Sequence, residues 1–203
     1  MKQSLITPKV LIIFAHPSYE SSRINRAFYQ VIDNLPNLMW HDLYNTYPNQ
    51  LIDVEREQGL LADCDVLILQ HPLYWYSCPA LMKNWLDSVL TLGWAYGDAG
   101  KALSGKAFIQ VISSGGSEAV YQRGAYNNFS LAELLRPFEQ TADLCEMHYH
   151  QPFLTQGAKA MSDEEIHQQA EKYLSWMHNI LQGKLPPVVN THYATQANFA
   201  ALA

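Results

Sequence analysis

The chain has 203 residues, of which 48% are hydrophobic and 16% charged, and its formal net charge is −6. This composition suits a globular protein of one domain, and the net acidity argues against nucleic acid, because phosphate binding draws on a basic surface. No apolar run approaches the roughly 18 residues of a membrane span, and the amino terminus has no pattern of a secretory leader. We therefore expect a cytoplasmic protein.

The three cysteines, Cys64, Cys78 and Cys145, are widely spaced and form no C-x-x-C pair. Such a pattern is typical of unpaired thiols in a reducing compartment and disfavours a disulfide framework or a zinc site.

Strand patterns and helix patterns alternate along the chain. Continuous apolar runs are typical of parallel strands buried on both faces, and apolar residues three or four apart are typical of helices packed on a sheet. The predicted strands are residues 10–15, 38–43, 66–70, 108–112 and one within 146–154. The predicted helices are residues 23–33, 53–61, one opening at Pro79, 131–143 with a kink at Pro137, and 162–181. This alternation predicts a doubly wound parallel α/β sheet, with ligands bound beyond the carboxyl ends of its strands.

We assign residues 1–183 to one domain and residues 184–203 to a carboxyl-terminal tail. The tail contains Pro186 and Pro187 and then small and polar residues.

A hydroxyl-rich loop (residues 16–22) follows the first strand and leads directly into a helix. Because helix N-terminal amides favour an anion, a phosphate held by Ser22, Arg23, Asn25 and helix amides is expected. Neither G-x-G-x-x-G nor the P-loop pattern is present, which disfavours a Rossmann site and a nucleoside triphosphatase. The alternative is a helix merely capped by Ser21 or Ser22, beside an exposed His16.

An aromatic loop (residues 72–78) follows the third strand and carries Tyr74, Trp75 and Tyr76 in succession. Neither helical nor sheet periodicity explains three adjacent aromatic residues, whereas a planar cofactor stacked against them would. The alternative is a hydrophobic plug of the core or an oligomer contact. We interpret Cys78 as a packed thiol rather than a redox-active one.

A glycine loop (residues 113–117) follows the fourth strand, with Ser113, Ser114, Gly115 and Gly116, and Tyr121 comes shortly after. Adjacent glycines let backbone amides approach a ligand closely, and such amides would stabilise negative charge on a reduced cofactor. A Gly-Gly pair is by itself a common turn. The prediction therefore depends on all three loops meeting at one edge of the sheet.

These segments resemble the NAD(P)H quinone oxidoreductase branch of the flavodoxin-like superfamily, and within it the ancillary subunits of bacterial glutathione-gated potassium-efflux systems. The resemblance lies in FAHPSYESSRIN (14–25), residues 53–58, QHPLYWYSCPALMKNWLDSVLTLGWAYG (70–97) and LSGKAFIQVISSGGSEAVY (103–121). It implies a flavodoxin-like three-layer sandwich with a five-stranded parallel sheet in the order 2-1-3-4-5. It also implies a homodimer with FMN or FAD at each carboxyl-edge cleft.

The resemblance assigns flavin contacts to all three loops. The implied contacts are His16, Ser22, Ile24 and Asn25; Pro72, Leu73, Tyr74, Trp75 and Tyr76; and Ser113, Ser114, Gly115 and Gly116. Tyr121 matches a tyrosine that pairs with a histidine in mammalian relatives to assist hydride transfer. Here the approximate position of that histidine holds Tyr126 or Asn127, and the candidate catalytic residues are Tyr121 and Tyr126.

The implied function is a ping-pong NAD(P)H:quinone oxidoreductase. NAD(P)H would deliver a hydride to the flavin and leave, and a quinone or another flat acceptor would then take its place. The alternative is a non-catalytic flavin-binding regulatory subunit of a membrane potassium-efflux transporter, peripheral at the inner face of the membrane. A one-electron carrier is disfavoured by the longer chain and the segment GWAYG. FMN is favoured over FAD because no adenine-binding segment is recognisable.

Overall fold

The computed structural model describes residues 7–189. Its strands are β1 (Val10–Phe14), β2 (Leu38–Asp42), β3 (Val66–Pro72), β4 (Ala107–Ser113), β5 (His148–Tyr149) and β6 (Phe153–Thr155). Its helices are α1 (Arg23–Ile32), α2 (Leu43–Thr46), α3 (Val54–Asp63), α4 (Ala80–Val89), α5 (Leu131–Leu134), α6 (Arg136–Leu144) and α7 (Asp163–Leu181). None of these helices has both the length and the apolar character of a membrane span.

The strands form one parallel sheet in the order β2-β1-β3-β4-β5, which confirms the predicted order. The predicted fifth strand differs from expectation because it is broken into β5 and β6, which both pair with β4. Pro152 lies in the break. Proline has no N–H to donate to a ladder, and the pairing with β4 is interrupted around this position.

Helices cover both faces of the sheet, so the molecule has the predicted three layers. Successive side chains of a strand point to opposite faces, and in β1 Ile12 and Phe14 pack in one cluster with residues of α1 and α7. Leu11 and Ile13 pack in the other cluster with residues of α3, α4 and α6. Burial on both faces explains why these strands appear in the sequence as unbroken apolar runs.

Two helix boundaries differ in detail from the prediction. Pro79 is the N-cap residue of α4 rather than its first helical residue, a shift of one position that is common at helix ends. The predicted helix 131–143 is divided at Leu135 into α5 and α6. Pro137 lacks the N–H that would bond to the carbonyl of Glu133, so the kink expected there is a full break.

The first residues of the predicted tail pack beside the sheet. The amide of Gln151 donates to the carbonyl of Pro187 over 2.8 Å, and the amide of Val189 donates to the carbonyl of Tyr149 over 2.8 Å. Residues 190–203 lie outside the described residues, and the division between domain and tail stays a prediction.

Candidate active site

The hydroxyl-rich, aromatic and glycine loops meet at the carboxyl edge of the sheet. The rings of His16 and Tyr74 lie 6.1 Å apart, and the amide of Leu73 donates to the carbonyl of Ser113 over 2.8 Å. Asn25 Nδ2 lies 3.4 Å from Ser113 Oγ. These contacts join the aromatic loop to each of the other two loops, and they join the first turn of α1, which directly follows the hydroxyl-rich loop, to the glycine loop. The three loops therefore meet as the prediction of a shared site requires.

The amino end of α1 offers backbone donors. Ser22 is its N-cap, and its hydroxyl accepts from the amide of Asn25 over 3.4 Å and from Asn25 Nδ2 over 2.9 Å. Among the described residues, no acceptor is found for the amides of Arg23 and Ile24. The helix is therefore capped by Ser22, and two amides at its positive end remain free for an anion.

His16 is buried rather than exposed, which makes that part of the capping alternative wrong. Its Nδ1 accepts from the amide of Ser18 over 3.1 Å, so the ring proton resides on Nε2. Burial lowers the pKa of His16, which keeps the ring neutral near pH 7. Its Nε2–H has no acceptor in the described part of the chain and is available as a neutral donor beside the loop.

Arg23 has a different environment from the one expected. Its guanidinium donates to the carbonyl of Met161 over 2.7 Å and to Asp163 Oδ1 over 2.5 Å. The side chain therefore bridges α1 to the start of α7 across the surface. The contact between Arg23 and a phosphate stays a prediction.

The aromatic loop contains two consecutive non-glycine residues with left-handed backbone. Trp75 has φ 50° and Tyr76 has φ 62°, and the amide of Ser77 donates to the carbonyl of Tyr74 over 2.9 Å. Positive φ at both central positions is typical of a type I′ turn, which strongly favours Gly, Asn or Asp. Bulky residues held there indicate stored strain, and such strain clusters at functional sites.

The side chains of this turn are exposed, with exposed fractions of 39% for Tyr74, 92% for Trp75 and 48% for Tyr76. The alternative of a core plug is therefore wrong. The amides of Trp75 and Tyr76 have no acceptor within residues 7–189. Cys78 is partly buried, and burial raises the pKa of its thiol, which agrees with a packed rather than a reactive cysteine.

The glycine loop also presents free amides, those of Gly115 and Gly116, which have no acceptor among the described residues. A Cβ on Gly116 would lie 2.8 Å from Val120 Cγ2 and 3.0 Å from Tyr121 Cε2. In the described part of the chain, a Cβ on Gly115 would meet only Lys159, 3.8 Å away. Gly116 is therefore needed so that the residues after the loop can fold back against it.

The two candidate catalytic tyrosines have contrasting environments. Burial raises the pKa of Tyr121, and a hydrogen bond with Ser114 opposes that shift in part, so its hydroxyl stays protonated near pH 7. Tyr126 is 91% exposed and has no hydrogen bond among the described residues. Asn127 instead reaches the aromatic loop, where its Oδ1 accepts from the hydroxyl of Tyr76 over 3.2 Å.

Sequence inspection missed the support beneath the hydroxyl-rich loop. Gln70 is fully buried in β3, and its Nε2 donates to Asn25 Oδ1 over 3.0 Å while its Oε1 accepts from the hydroxyl of Tyr173 over 2.8 Å. The signal available in the sequence was a polar residue inside an apolar strand. A buried polar group needs a partner, and here the partners lie on α1 and α7.

Comparison with known proteins places the chain among flavodoxin-like proteins. The Flavodoxin_2 family model, described as a flavodoxin-like fold, matches residues 8–177. The glutathione-regulated potassium-efflux system ancillary protein KefG of Yersinia pestis (strain Pestoides F) is 44% identical over 174 residues. That match covers 86% of this chain and 96% of KefG.

Solved structures give the same result. General stress protein 14 of Treponema denticola, in complex with FMN, is 40% identical with a TM-score of 0.81, covering 85% of this chain and 99% of that one. An NADPH-quinone reductase from P. pentosaceus is 36% identical with a TM-score of 0.75, covering 83% and 96% of the respective chains.

Proposed function

The chain belongs to the flavodoxin-like fold family as a homologue of KefG, and from this premise we propose that it is an FMN-dependent NAD(P)H:quinone oxidoreductase. The observation that carries the proposal is the meeting, at the carboxyl edge of the sheet, of three sets of backbone amides that find no acceptor among residues 7–189. They lie at the start of α1, in the left-handed turn of the aromatic loop (residues 74–77, the aromatic turn) and in the glycine loop. Ligands of doubly wound sheets bind at this edge.

The donors fit a flavin mononucleotide. The free amides of Arg23 and Ile24, the hydroxyl of Ser22 and the Nε2–H of His16 would hold one phosphate. These groups account for a single phosphate, which favours FMN over FAD. The FMN complex of the Treponema denticola protein, at 40% identity, supports the same choice.

The remaining donors suit a flat heterocycle. The amides of Trp75 and Tyr76 approach from the aromatic turn, and those of Gly115 and Gly116 approach from the glycine loop. The exposed aromatic rings offer stacking surface, and the amides stabilise negative charge on one edge of a reduced ring system.

A bound flavin would provide the redox chemistry, which is to take a hydride from NAD(P)H and pass it to the second substrate. The chain binds and orients the reactants, which occupy the same open face in turn. Tyr121, kept protonated by its surroundings, donates a hydrogen bond or a proton from its hydroxyl to the substrate. The acceptor class proposed is a quinone or a similar flat molecule, as the name of the 36% identical NADPH-quinone reductase supports.

A second role is favoured by the 44% identity to KefG. We propose that the chain also serves as a cytoplasmic, peripheral subunit of a potassium-efflux transporter at the inner face of the membrane. Exposed aromatic residues beside the site, with Trp75 at 92%, Tyr126 at 91% and Phe129 at 50% exposure, support an oligomer contact there. A homodimer is the proposed assembly.

The test is anaerobic spectroscopy of the protein supplied with FMN. We expect the visible flavin band to bleach with NADPH or NADH and to recover when 1,4-benzoquinone is added. A flavin that binds but is not reduced by either nucleotide would replace the enzyme with the non-catalytic regulatory subunit. Failure to bind FMN at all would refute the proposed site.

A further inference from the structure

The floor of the site contains a second buried hydrogen-bond chain, on the sheet face opposite to Gln70. His71 in β3 and Gln110 in β4 are both fully buried. The hydroxyl of Tyr149 donates to Gln110 Oε1 over 2.7 Å, and Gln110 Nε2 lies 3.4 Å from His71 Nε2. His71 Nδ1 lies 2.9 Å from the carbonyl oxygen of Pro72.

The chemistry of these partners fixes the tautomer of His71. The carbonyl oxygen of Pro72 can only accept, so Nδ1 carries the proton and donates it. Nε2 is then the acceptor for the Gln110 amide. Phe138 packs against the ring, with centroids 5.6 Å apart, so the imidazole is held from the side as well as at both nitrogens.

The carbonyl that His71 binds belongs to the peptide from which the aromatic turn starts. Pro72 is the last residue of β3, and the amide of the next residue, Leu73, donates to the carbonyl of Ser113. The Pro72–Leu73 peptide is thus fixed at both its oxygen and its nitrogen. The left-handed turn that begins one residue later persists only if its surroundings hold it in place.

We propose that His71 is a positioning residue: its Nδ1–H anchors the Pro72 carbonyl and thereby presents the Trp75 and Tyr76 amides to the flavin. This inference deepens the proposed function and rests on it. The sheet floor buries two polar side chains where apolar ones would pack without any need for partners. The hydrogen bond from His71 to the Pro72 carbonyl, which fixes the first peptide of the aromatic loop, explains why polar side chains are buried here.

Three variants separate positioning from stability. His71→Leu removes the donor, whereas His71→Asn keeps an amide nitrogen near the former Nδ1 position. Tyr149→Phe is the matched control, because it breaks the same chain at its far end. Two quantities are measured: the FMN dissociation constant by fluorescence titration, and hydrogen exchange of the Leu73 amide, which is bonded to the Ser113 carbonyl, without FMN.

We expect His71→Leu to weaken FMN binding by roughly tenfold, the scale of one lost hydrogen bond, and to speed exchange of the Leu73 amide by a similar factor. His71→Asn should restore both to within about threefold of the native values, and Tyr149→Phe should leave FMN binding within the same range. Native-like binding and exchange in His71→Leu would overturn the proposal, as would an equal loss of FMN binding in Tyr149→Phe. If the native protein binds no FMN, the proposed function fails, while the exchange rates still decide whether His71 anchors the turn.

Discussion

Two adjacent glycines in the glycine loop have different structural roles. Gly116 lies against Val120 and Tyr121, where an added Cβ would be within 3.0 Å of both side chains. Gly115 has open space around it, with Lys159 at ordinary contact distance. The sequence shows the same residue type twice, and only the packing of the following segment distinguishes them.

We therefore expect Gly116→Ala to lower the free energy of unfolding by about 1–3 kcal/mol, the usual cost of overpacking, and to displace Tyr121. Gly115→Ala should leave stability within about 0.5 kcal/mol of the native value. Urea unfolding of both apo-proteins checks this. In the proposed enzyme, turnover with NADPH and benzoquinone should fall in Gly116→Ala. Equal stability of the two variants would contradict the packing argument.

At the residue scale, the position of a site residue at the sheet edge was easier to predict from the sequence than its hydrogen-bond partners. Ser22, Asn25 and Ser113 could be assigned to one edge because parallel strands end there. The partners of Arg23 could not be predicted, because Met161 and Asp163 lie about 140 positions along the chain and reach Arg23 only once α7 has packed.

At the scale of elements, the strands and long helices were predictable from the spacing of apolar residues along the sequence. Each interruption lies at or beside a single proline: Pro137 is in the first turn of α6, and Pro152 lies between β5 and β6. A proline effect on a helix could be anticipated at Pro137. The break of the edge strand was missed because the interval assigned to it spanned nine residues, within which two short ladders fit as well as one.

The aromatic turn has a backbone conformation that lowers stability, although the proposed function requires it. Trp75 is 92% exposed and has φ 50°, so its side chain gains little from packing while its backbone carries a left-handed cost of about 1–2 kcal/mol. Replacement by glycine removes that cost and so stabilises the folded protein. Part of this stabilisation is lost because glycine also gives the unfolded chain more conformational freedom.

We expect Trp75→Gly to raise the free energy of unfolding of the apo-protein by up to about 1 kcal/mol while weakening FMN binding. Tyr126→Gly is the matched control, since Tyr126 is 91% exposed without positive φ, and it should give no gain. Thermal unfolding with and without FMN measures both effects. A loss of apo stability in Trp75→Gly, equal to that in Tyr126→Gly, would show that the turn is not strained.

At the scale of the whole molecule, buried polar groups connect the layers. Glu57 in α3 is fully buried and accepts three hydrogen bonds: from Tyr47 over 2.6 Å, from Trp85 over 2.8 Å and from His41 over 2.8 Å. These donors belong to β2, to the residue after α2 and to α4. Burial raises the pKa of Glu57, but the hydrogen bonds from His41, Tyr47 and Trp85 outweigh it and the net pKa is lowered.

Glu57→Gln should therefore destabilise the fold by about 2–4 kcal/mol, because a neutral amide replaces a buried carboxylate that accepts three hydrogen bonds, and a hydrogen bond to a charged group contributes about 1.5–3 kcal/mol. Glu55→Gln, on an exposed position of the same helix, should change stability by less than about 0.5 kcal/mol. Because the folded pKa of Glu57 lies below its ordinary 4.5, this stabilisation is present above pH 4.5 and declines as pH falls. Urea unfolding at pH 7 and in this acidic range tests both statements, and similar stability of the two variants at pH 7 would refute the first.

His71 gives the molecule a second pH dependence, in a different range. Complete burial lowers the pKa of His71 from 6.5 to about 4, so between these values the unfolded chain binds a proton that the folded protein excludes. The free energy of unfolding must then rise with pH from about 4 to 6.5, by about 3 kcal/mol over the whole interval.

The difference in unfolding free energy between the native protein and His71→Asn isolates this effect, because titration of the carboxylates is common to both and cancels. We expect that difference to increase in favour of the native protein as pH rises through the interval and to become constant about one pH unit above 6.5, where histidine is neutral in both states. A difference that does not change between pH 4 and 6.5 would mean that the imidazole is protonated in the fold. Its Nε2 would then face the Gln110 amide as a second donor, and the hydrogen-bond chain from Tyr149 to Pro72 could not exist as described.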